Sequence, residues 1–306
     1  MEKPSKKSTS VTGRTSLFSS DSIMPKVLLL FAAISVLTTV GIVFVLLEES
    51  FRFFQQVPIV EFFTGTKWTP LFADPHYGVL PLVVGTLLIT LIASVVALPL
   101  GLGSAIYLSE YAPDRVRSVL KPVLEILAGI PTIVYGFFAL SFVTPVIQKL
   151  LPQTQVFNAL SAGIVVGIMI IPMISSMSED AMSAVPTSLR NAAYALGSTK
   201  LEVAVKVVVP AAFSGIVASF VLGLSRAIGE TMIVTLAAGA LPNMSFNPLQ
   251  SVQTLTAYIV SVASGDTTFG SAQYLTMYSV GFVLFIITLA MNILAGYISR
   301  KFREEY

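Results

Sequence analysis

The 306-residue sequence contains no cysteine and a single histidine. The first absence excludes disulfides, thiolate metal sites, thioether haem attachment and thiol nucleophiles. The second leaves histidine metal cages and most histidine-dependent catalysis without material. Charge is also scarce. Only 11% of the residues are Asp, Glu, Lys or Arg, against roughly 25% in a soluble domain. The formal net charge of +2 is too small to point to a nucleic-acid partner. No Gly-x-x-x-x-Gly-Lys-[Ser/Thr] run occurs, so the chain lacks the phosphate loop needed to hydrolyse ATP itself. Apolar residues dominate instead, at 55%, and mean hydropathy is +0.84. Such a surface faces lipid or is buried in an assembly. The expected fold is an all-α polytopic membrane protein.

A bilayer core of ~30 Å needs roughly 20 apolar residues per helix. Six runs qualify: Val27–Leu47, Val79–Leu108, Val123–Ile147, Ala159–Met177, a run from Pro210 to Leu241, and Tyr274–Ile298. The first is too long for a signal-peptide core and lacks a small-residue cleavage site, so it reads as a retained span. Six spans put both tails on one side. Fourteen of the 18 Lys and Arg residues fall on the side of the tails, three on the other, and Arg226 lies inside a span. Such a bias predicts cytoplasmic termini. The organisation expected is a tail over 1–26, a first span with an external segment over 27–78, a core of five spans over 79–298 containing a cytoplasmic loop at 178–210, and a tail over 299–306. Pro99, Pro131 and Pro172 are expected to kink spans.

The external segment 48–78 carries Phe51, Phe53, Phe54, Phe62, Phe63 and Trp68. This aromatic density fits an interfacial helix on the outer leaflet or a packed extracellular cap. The segment 242–273 reads as an exposed polar loop with Asp266 as its one formal charge. Glu125, near Arg117 and Lys121 in sequence, is expected to form a local ion pair, and His76 beside Asp74 to lie at the surface.

The loop after the fourth apolar run has internal order. Pro186 breaks one helical piece, Thr187 or Ser188 can cap a second over Leu189–Leu196, and Gly197 suits the left-handed position that ends a helix. Thr199-Lys-Leu-Glu202 is a capping-box pattern. The short middle helix is expected to expose Arg190 and Tyr194, either on the membrane surface or against a partner. Here Asn191-Ala192-Ala193, Gly197 and Val209-Pro210 resemble the "EAA" loop of ABC-importer permeases, with Asn191 where Glu is usual. The resemblance implies a type I importer architecture. It also implies a short helix, with Arg190, Asn191, Ala192, Ala193, Tyr194 and Gly197, that docks on a cytoplasmic ATPase.

The fifth run contains Gly223-Leu-Ser225-Arg226-Ala-Ile-Gly229-Glu230-Thr231. In a continuous helix, Arg226 and Glu230 are i and i+4 and share a face. An arginine at mid-span costs at least ~3 kcal/mol. It is either a salt bridge that braces the fold or an anion-handling group in a water-filled path, where its fork suits a tetrahedral oxyanion. Arg226, Glu230, Thr231 and Ser225 are therefore the candidate substrate path. No catalytic or metal-ligating residue is expected.

Arg226-Ala-Ile-Gly-Glu230-Thr-Met, Tyr194-Ala-Leu-Gly197 and Gly129-Ile-Pro131-Thr-Ile-Val-Tyr135-Gly136 resemble the inorganic-phosphate ABC permeases, and Met232-Ile-Val resembles their PstC-type subunit. The resemblance implies a non-enzymatic permease of the bacterial inner membrane. The implied partners are a PstA-type sister subunit, cytoplasmic ATP-binding subunits, an extracytoplasmic phosphate-binding protein and phosphate, with no nucleic acid. It implies no cofactor on this chain, with ATP and magnesium on the partner ATPase. A sulfate or molybdate permease, or an ion- or proton-coupled anion carrier, is the competing reading.

Overall fold

The computed structural model describes residues 20–72 and 74–301; the tails expected over most of 1–26 and 299–306 lie largely outside them. The chain divides into two compact units, 1–48 and 49–306. The first contains most of α1 (Ser20–Phe54), whose stretch 27–42 is apolar all round with its side chains exposed, Leu29 at 70%. A helix with no polar face needs lipid or protein on every side.

The second unit is helical throughout its described residues, apart from loops and a single bridge between Trp68 and Tyr77. Its elements are α2 (Ile59–Thr64), α3 (Leu80–Ile106) continued by a π-helical turn at Tyr107–Tyr111, α4 (Asp114–Gly129), α5 (Thr132–Phe138), and α6 (Thr144–Leu150). There follow α7 (Ala159–Ser183), α8 (Thr187–Ala195), α9 (Lys200–Val203), α10 (Val209–Ala211), α11 (Phe213–Ile228), α12 (Met232–Ala237), α13 (Leu255–Ala263) and α14 (Ala272–Lys301). Among the described residues, five helical stretches are long and apolar enough to cross a membrane: Ile23–Phe54, Leu80–Tyr111, Thr132–Leu150, Ala159–Ser183 and Ala272–Lys301. The pair Lys200–Ala211 and Phe213–Ile228 passes the same test only when joined; it is bent by 73°, a broken span or a re-entrant loop.

The core is the contact of α3 with α7. A Cβ at Gly163 would lie 2.6 Å from Cβ of Ile92, and one at Gly167 would lie 2.9 Å from the carbonyl of Ala93. Glycine at both positions lets two backbones approach closely, which is how helices associate where lipid removes the hydrophobic drive. Ile89, Ala93, Val166 and Ile170 fill the seam.

Three expectations change. The third span starts at Thr132, not Val123: Ile130 and Pro131 are extended and end α4. Pro131 therefore separates helices, whereas Pro99 and Pro172 do lie inside them. The cause is steric, since a proline ring pushes the preceding residue out of the helical region. Next, α4 turns two of its charges, Arg117 and Lys121, toward α7, while Asp114, Arg115 and Glu125 are exposed. Lys121 Nζ lies 2.7 Å from Glu179 and 3.1 Å from Asp180, Arg117 also bonds Glu179, and Val119 and Ile126 face outward at 61% and 69% exposure. The acids that pair with Arg117 and Lys121 are thus on α7, and Glu125 is in none of these pairs. The bond to Glu179 raises the Lys121 pKa above its ordinary value.

Third, the aromatic segment, grouped above with the first span, belongs with the core unit; of the two readings left open, Phe53, Phe62 and Trp68 follow the packed cap, while Phe51 and Phe63 are exposed. Phe53, Phe62 and Trp68 are at most 2% exposed, and edge contacts run Phe53–Phe62 (5.5 Å), Phe62–Trp68 (6.1 Å) and Trp68–Tyr258 (4.9 Å). The partner ring, Tyr258, comes from the segment read as an exposed loop. There, 251–258 is buried and α13 packs on α14. Leu255, Val262 and Leu275 complete that cluster. His76 is half-buried and meets exposed Asp74 at 3.3 Å.

Candidate functional site at a broken helix and an exposed short helix

Two places carry the candidate residues. The first is a break in the helix read as the fifth span. α11 stops at Ile228, Gly229 ends it with φ −85° and ψ 0°, and α12 starts at Met232. The carboxylate of Glu230 explains the restart. Its Oε1 accepts the backbone N–H groups of Met232 (3.1 Å) and Ile233 (3.2 Å), which have no partner in the preceding turn. A carboxylate there also meets the positive end of the new helix. Thr256 Oγ1 donates to the Glu230 carbonyl at 2.6 Å, tying the break to α13. Gly136 of α5 provides room for α12: a Cβ there would lie 2.8 Å from Leu236 Cδ1.

The break overturns the i, i+4 geometry. Glu230 is 7% exposed and turned to backbone amides, whereas Arg226 is exposed on the last turn of α11. Among the described residues no hydrogen bond or salt bridge joins them. The sequence pattern assumed a continuous helix, and the carboxylate instead caps the helix that the break creates. Thr231 is half-buried, its hydroxyl donating to the Gly229 carbonyl at 3.2 Å. The Ser225 Oγ is buried without a hydrogen-bond partner. Ser225, Glu230 and Thr231 thus line or adjoin the break, and Arg226 presents a cation beside it on the open face. Discontinuous helices of this kind bring backbone groups to bear on solutes at membrane depth.

The second place is α8 and its flanks. The N-cap is Pro186, and neither Thr187 nor Ser188 caps the helix by its side chain. Gly197 has φ +84°, its N–H donates to the Tyr194 carbonyl at 2.9 Å, and the Ser198 N–H donates to the Ala193 carbonyl at 3.2 Å. These two bonds define a Schellman ending. The Thr199–Glu202 capping box is formed on both sides, and the Thr199 backbone and Lys206 pull the Glu202 pKa down to about 2. Asn191, Ala192 and Tyr194 are exposed, Ala193 is half-buried, and Leu196 is 88% exposed.

Arg190 departs from expectation. Rather than pointing out, it donates to Glu110 Oε1 (3.0 Å), to the Met182 carbonyl (2.8 Å) and to the Val185 carbonyl. The Met182 carbonyl, which also accepts the Val185 N–H at 3.2 Å, and the Val185 carbonyl just past α7 take the guanidinium N–H groups, and Glu110 supplies the counter-charge. Neither Glu110 nor Glu179 stood out in the sequence. A usable signal for Glu110 was a lone acid at the end of an otherwise uncharged run, Leu80–Ser109.

The fold defines a multi-pass permease with a short exposed helix between two core helices. Residues 97–304 match the family described as "Binding-protein-dependent transport system inner membrane component", and the chain belongs to that family. It is 39% identical, over 79% of its length and 78% of the relative's, to the "Probable ABC transporter permease protein YqgH" of Bacillus subtilis. It is 36% identical, over 78% of each chain, to the "Phosphate transport system permease protein PstC" of Xylella fastidiosa. A chain of the MetNI methionine ABC transporter, solved in inward-facing conformations, shares the fold with a TM-score of 0.54, at 18% identity over 74% of this chain and 95% of that one.

Proposed function

We propose that the chain is the permease subunit of an ATP-driven inorganic phosphate importer. The observation that supports phosphate is the 36% identity, over 78% of the chain, to a relative named a phosphate transport permease. The remaining assignments rest on physical features. The exposed face of Asn191, Tyr194 and Leu196 suits the groove of a cytoplasmic ATPase, which supplies ATP and magnesium, and this chain needs no cofactor. The charge bias sets both termini in the cytoplasm. A PstA-type sister and an external phosphate-binding protein complete the assembly. Arg226 offers its fork to the anion, and Glu230 holds the break open beside it.

The test is co-purification with the ATPase, followed by uptake in proteoliposomes of labelled phosphate, sulfate and molybdate. ATP-dependent uptake of phosphate alone supports the reading. Uptake by this chain without the ATPase removes it, and preference for sulfate or molybdate replaces the substrate. Arg226→Lys keeps the charge but loses the planar fork, so uptake falls while complex yield is kept. Because Arg226 and Glu230 do not pair with each other, Arg226→Gln combined with Glu230→Gln does not rescue uptake.

A further inference from the structure

The loop containing α8 grips one element twice. Arg190 bonds Glu110 at 3.0 Å, and Lys200 Nζ sits 5.0 Å above the ring of Tyr111. Both partners belong to the π-helical turn that ends α3. The two grips come from either side of the exposed turn at Leu196–Ser198. The ion pair is buried, with side-chain exposures of 15% for Arg190 and 5% for Glu110. Ser109 Oγ also donates to Glu110 at 2.9 Å. Burying two charges is costly, and the attraction offsets that cost only when geometry is held. The pair therefore locks α8 to α3 in one orientation.

The other end of α3 meets the helix break. Thr86 Oγ1 accepts the Leu255 N–H at 3.1 Å, and the next residue, Thr256, donates to the Glu230 carbonyl at 2.6 Å. All of these side chains are buried. Thr86 and Glu110 are 24 positions apart along the chain, about 36 Å at 1.5 Å per residue. Apart from the bond that Pro99 cannot donate, α3 is a continuous helix, which resists axial compression, and π-helical turns often mark functional positions.

We infer that α3 is a rod that carries displacement of the α8 loop to the break, with Glu110 as the positioning residue at its receiving end and Thr86 with Thr256 at its delivering end. The inference rests on the transport reading, in which an ATPase moves α8. Movement of α3 shifts Leu255 and Thr256 together, and with them the Glu230 carbonyl. The carboxylate that caps α12 follows.

The test uses the full complex and Gly229→Cys in this cysteine-free chain. Gly229 is exposed, and a Cβ there meets nothing closer than 3.7 Å. The readout is the ratio of maleimide labelling with and without ATP, alongside phosphate uptake per ATP hydrolysed. Glu110→Gln is expected to keep ATP hydrolysis while cutting the labelling response and the uptake ratio by about tenfold, the size of an ordinary coupling. Thr256→Val, nearly isosteric, is expected to do the same. The double variant is expected to be no worse than either single one, because both act on one path. If Glu110→Gln fails to assemble, Thr256→Val decides. An unchanged labelling response in either assembled variant, or fully additive losses, overturns the rod. Absence of phosphate uptake in the unmodified complex, with its ATP-dependent labelling response intact, removes phosphate as the substrate and leaves the rod standing.

Discussion

The two ends of the core unit are held by different physics. At the aromatic end, Phe53, Phe62, Trp68 and Tyr258 interlock by edge contacts in a buried cluster, while Phe51 and Phe63 of the same segment are exposed. At the α8 end, the buried apolar cluster is smaller, and order comes from charge pairs, a capping box and a Schellman turn. There Leu196 and Leu201 stand out at 88% and 62% exposure. Dispersion and apolar burial are non-directional and hold a shape against many small perturbations. Ion pairs and caps are directional and can be exchanged for a partner's. One end is built as a fixed cap, the other as an articulated surface. Of the buried carboxylates, Glu110 and Glu179 lie at the articulated end, whereas Glu230 caps α12 at the helix break.

The largest expected effect breaks the cap. Trp68→Ala removes a fully buried indole and should cost about 3–5 kcal/mol, seen as lower complex yield and melting temperature, with uptake per assembled complex unchanged. Trp68→Phe should cost far less, because the Trp68 Nε1 is buried without a partner and its loss is no penalty. Failed uptake in complexes that melt normally would mean that the cap also moves.

The next tests the articulated end. At Gly197 a Cβ has open space around it, so φ +84° is the whole objection to a side chain. Gly197→Val should strain the turn by about 1–2 kcal/mol and block uptake while insertion persists, whereas Gly197→Asn should retain most uptake, since Asn tolerates that region. Equal behaviour of the two variants would show that space, not backbone conformation, matters there.

A smaller effect is expected at the break. Glu230→Gln keeps an oxygen for the amides of Met232 and Ile233 and loses only the charge, about 0.3–1 kcal/mol at a helix start. Stability should hardly move, so any large loss of uptake measures a role of the charge itself. Smallest is pH. The Glu202 pKa is depressed, so its contribution is fully present above the ordinary value of 4.5 and is lost only as pH falls through about 2. Uptake between pH 8 and 5 should show no inflection removed by Glu202→Gln.

Labelling sharpens the sidedness of the comparison. A cysteine at Ser198 should react from the cytoplasm. Ser251, though in the segment opposite, is 6% exposed and should not react; Phe246, at 74%, should react from outside.

Local features were legible in the residues themselves. Long apolar runs predict spans, because a bilayer demands about 20 such residues whatever surrounds them. Gly197 and Thr199–Glu202 announce a helix end and a helix start, because caps are settled within a few residues of chain. The resemblance in the α8 loop and around Gly229-Glu230 was legible for the same reason: motifs are contiguous. What tertiary structure alone decided lies between residues far apart in the chain. Arg190 looked like an exposed cation until Glu110, 80 positions away, came beside it. Glu230 looked like the partner of Arg226 until the backbone broke at Gly229 and gave its carboxylate two free amides. The segment 251–255 looked like a polar loop until its groups met Thr86, Gln155 and Ala238. Polar groups go where their hydrogen bonds can be satisfied, and in a long chain those partners are set by packing, which no local pattern of residues records.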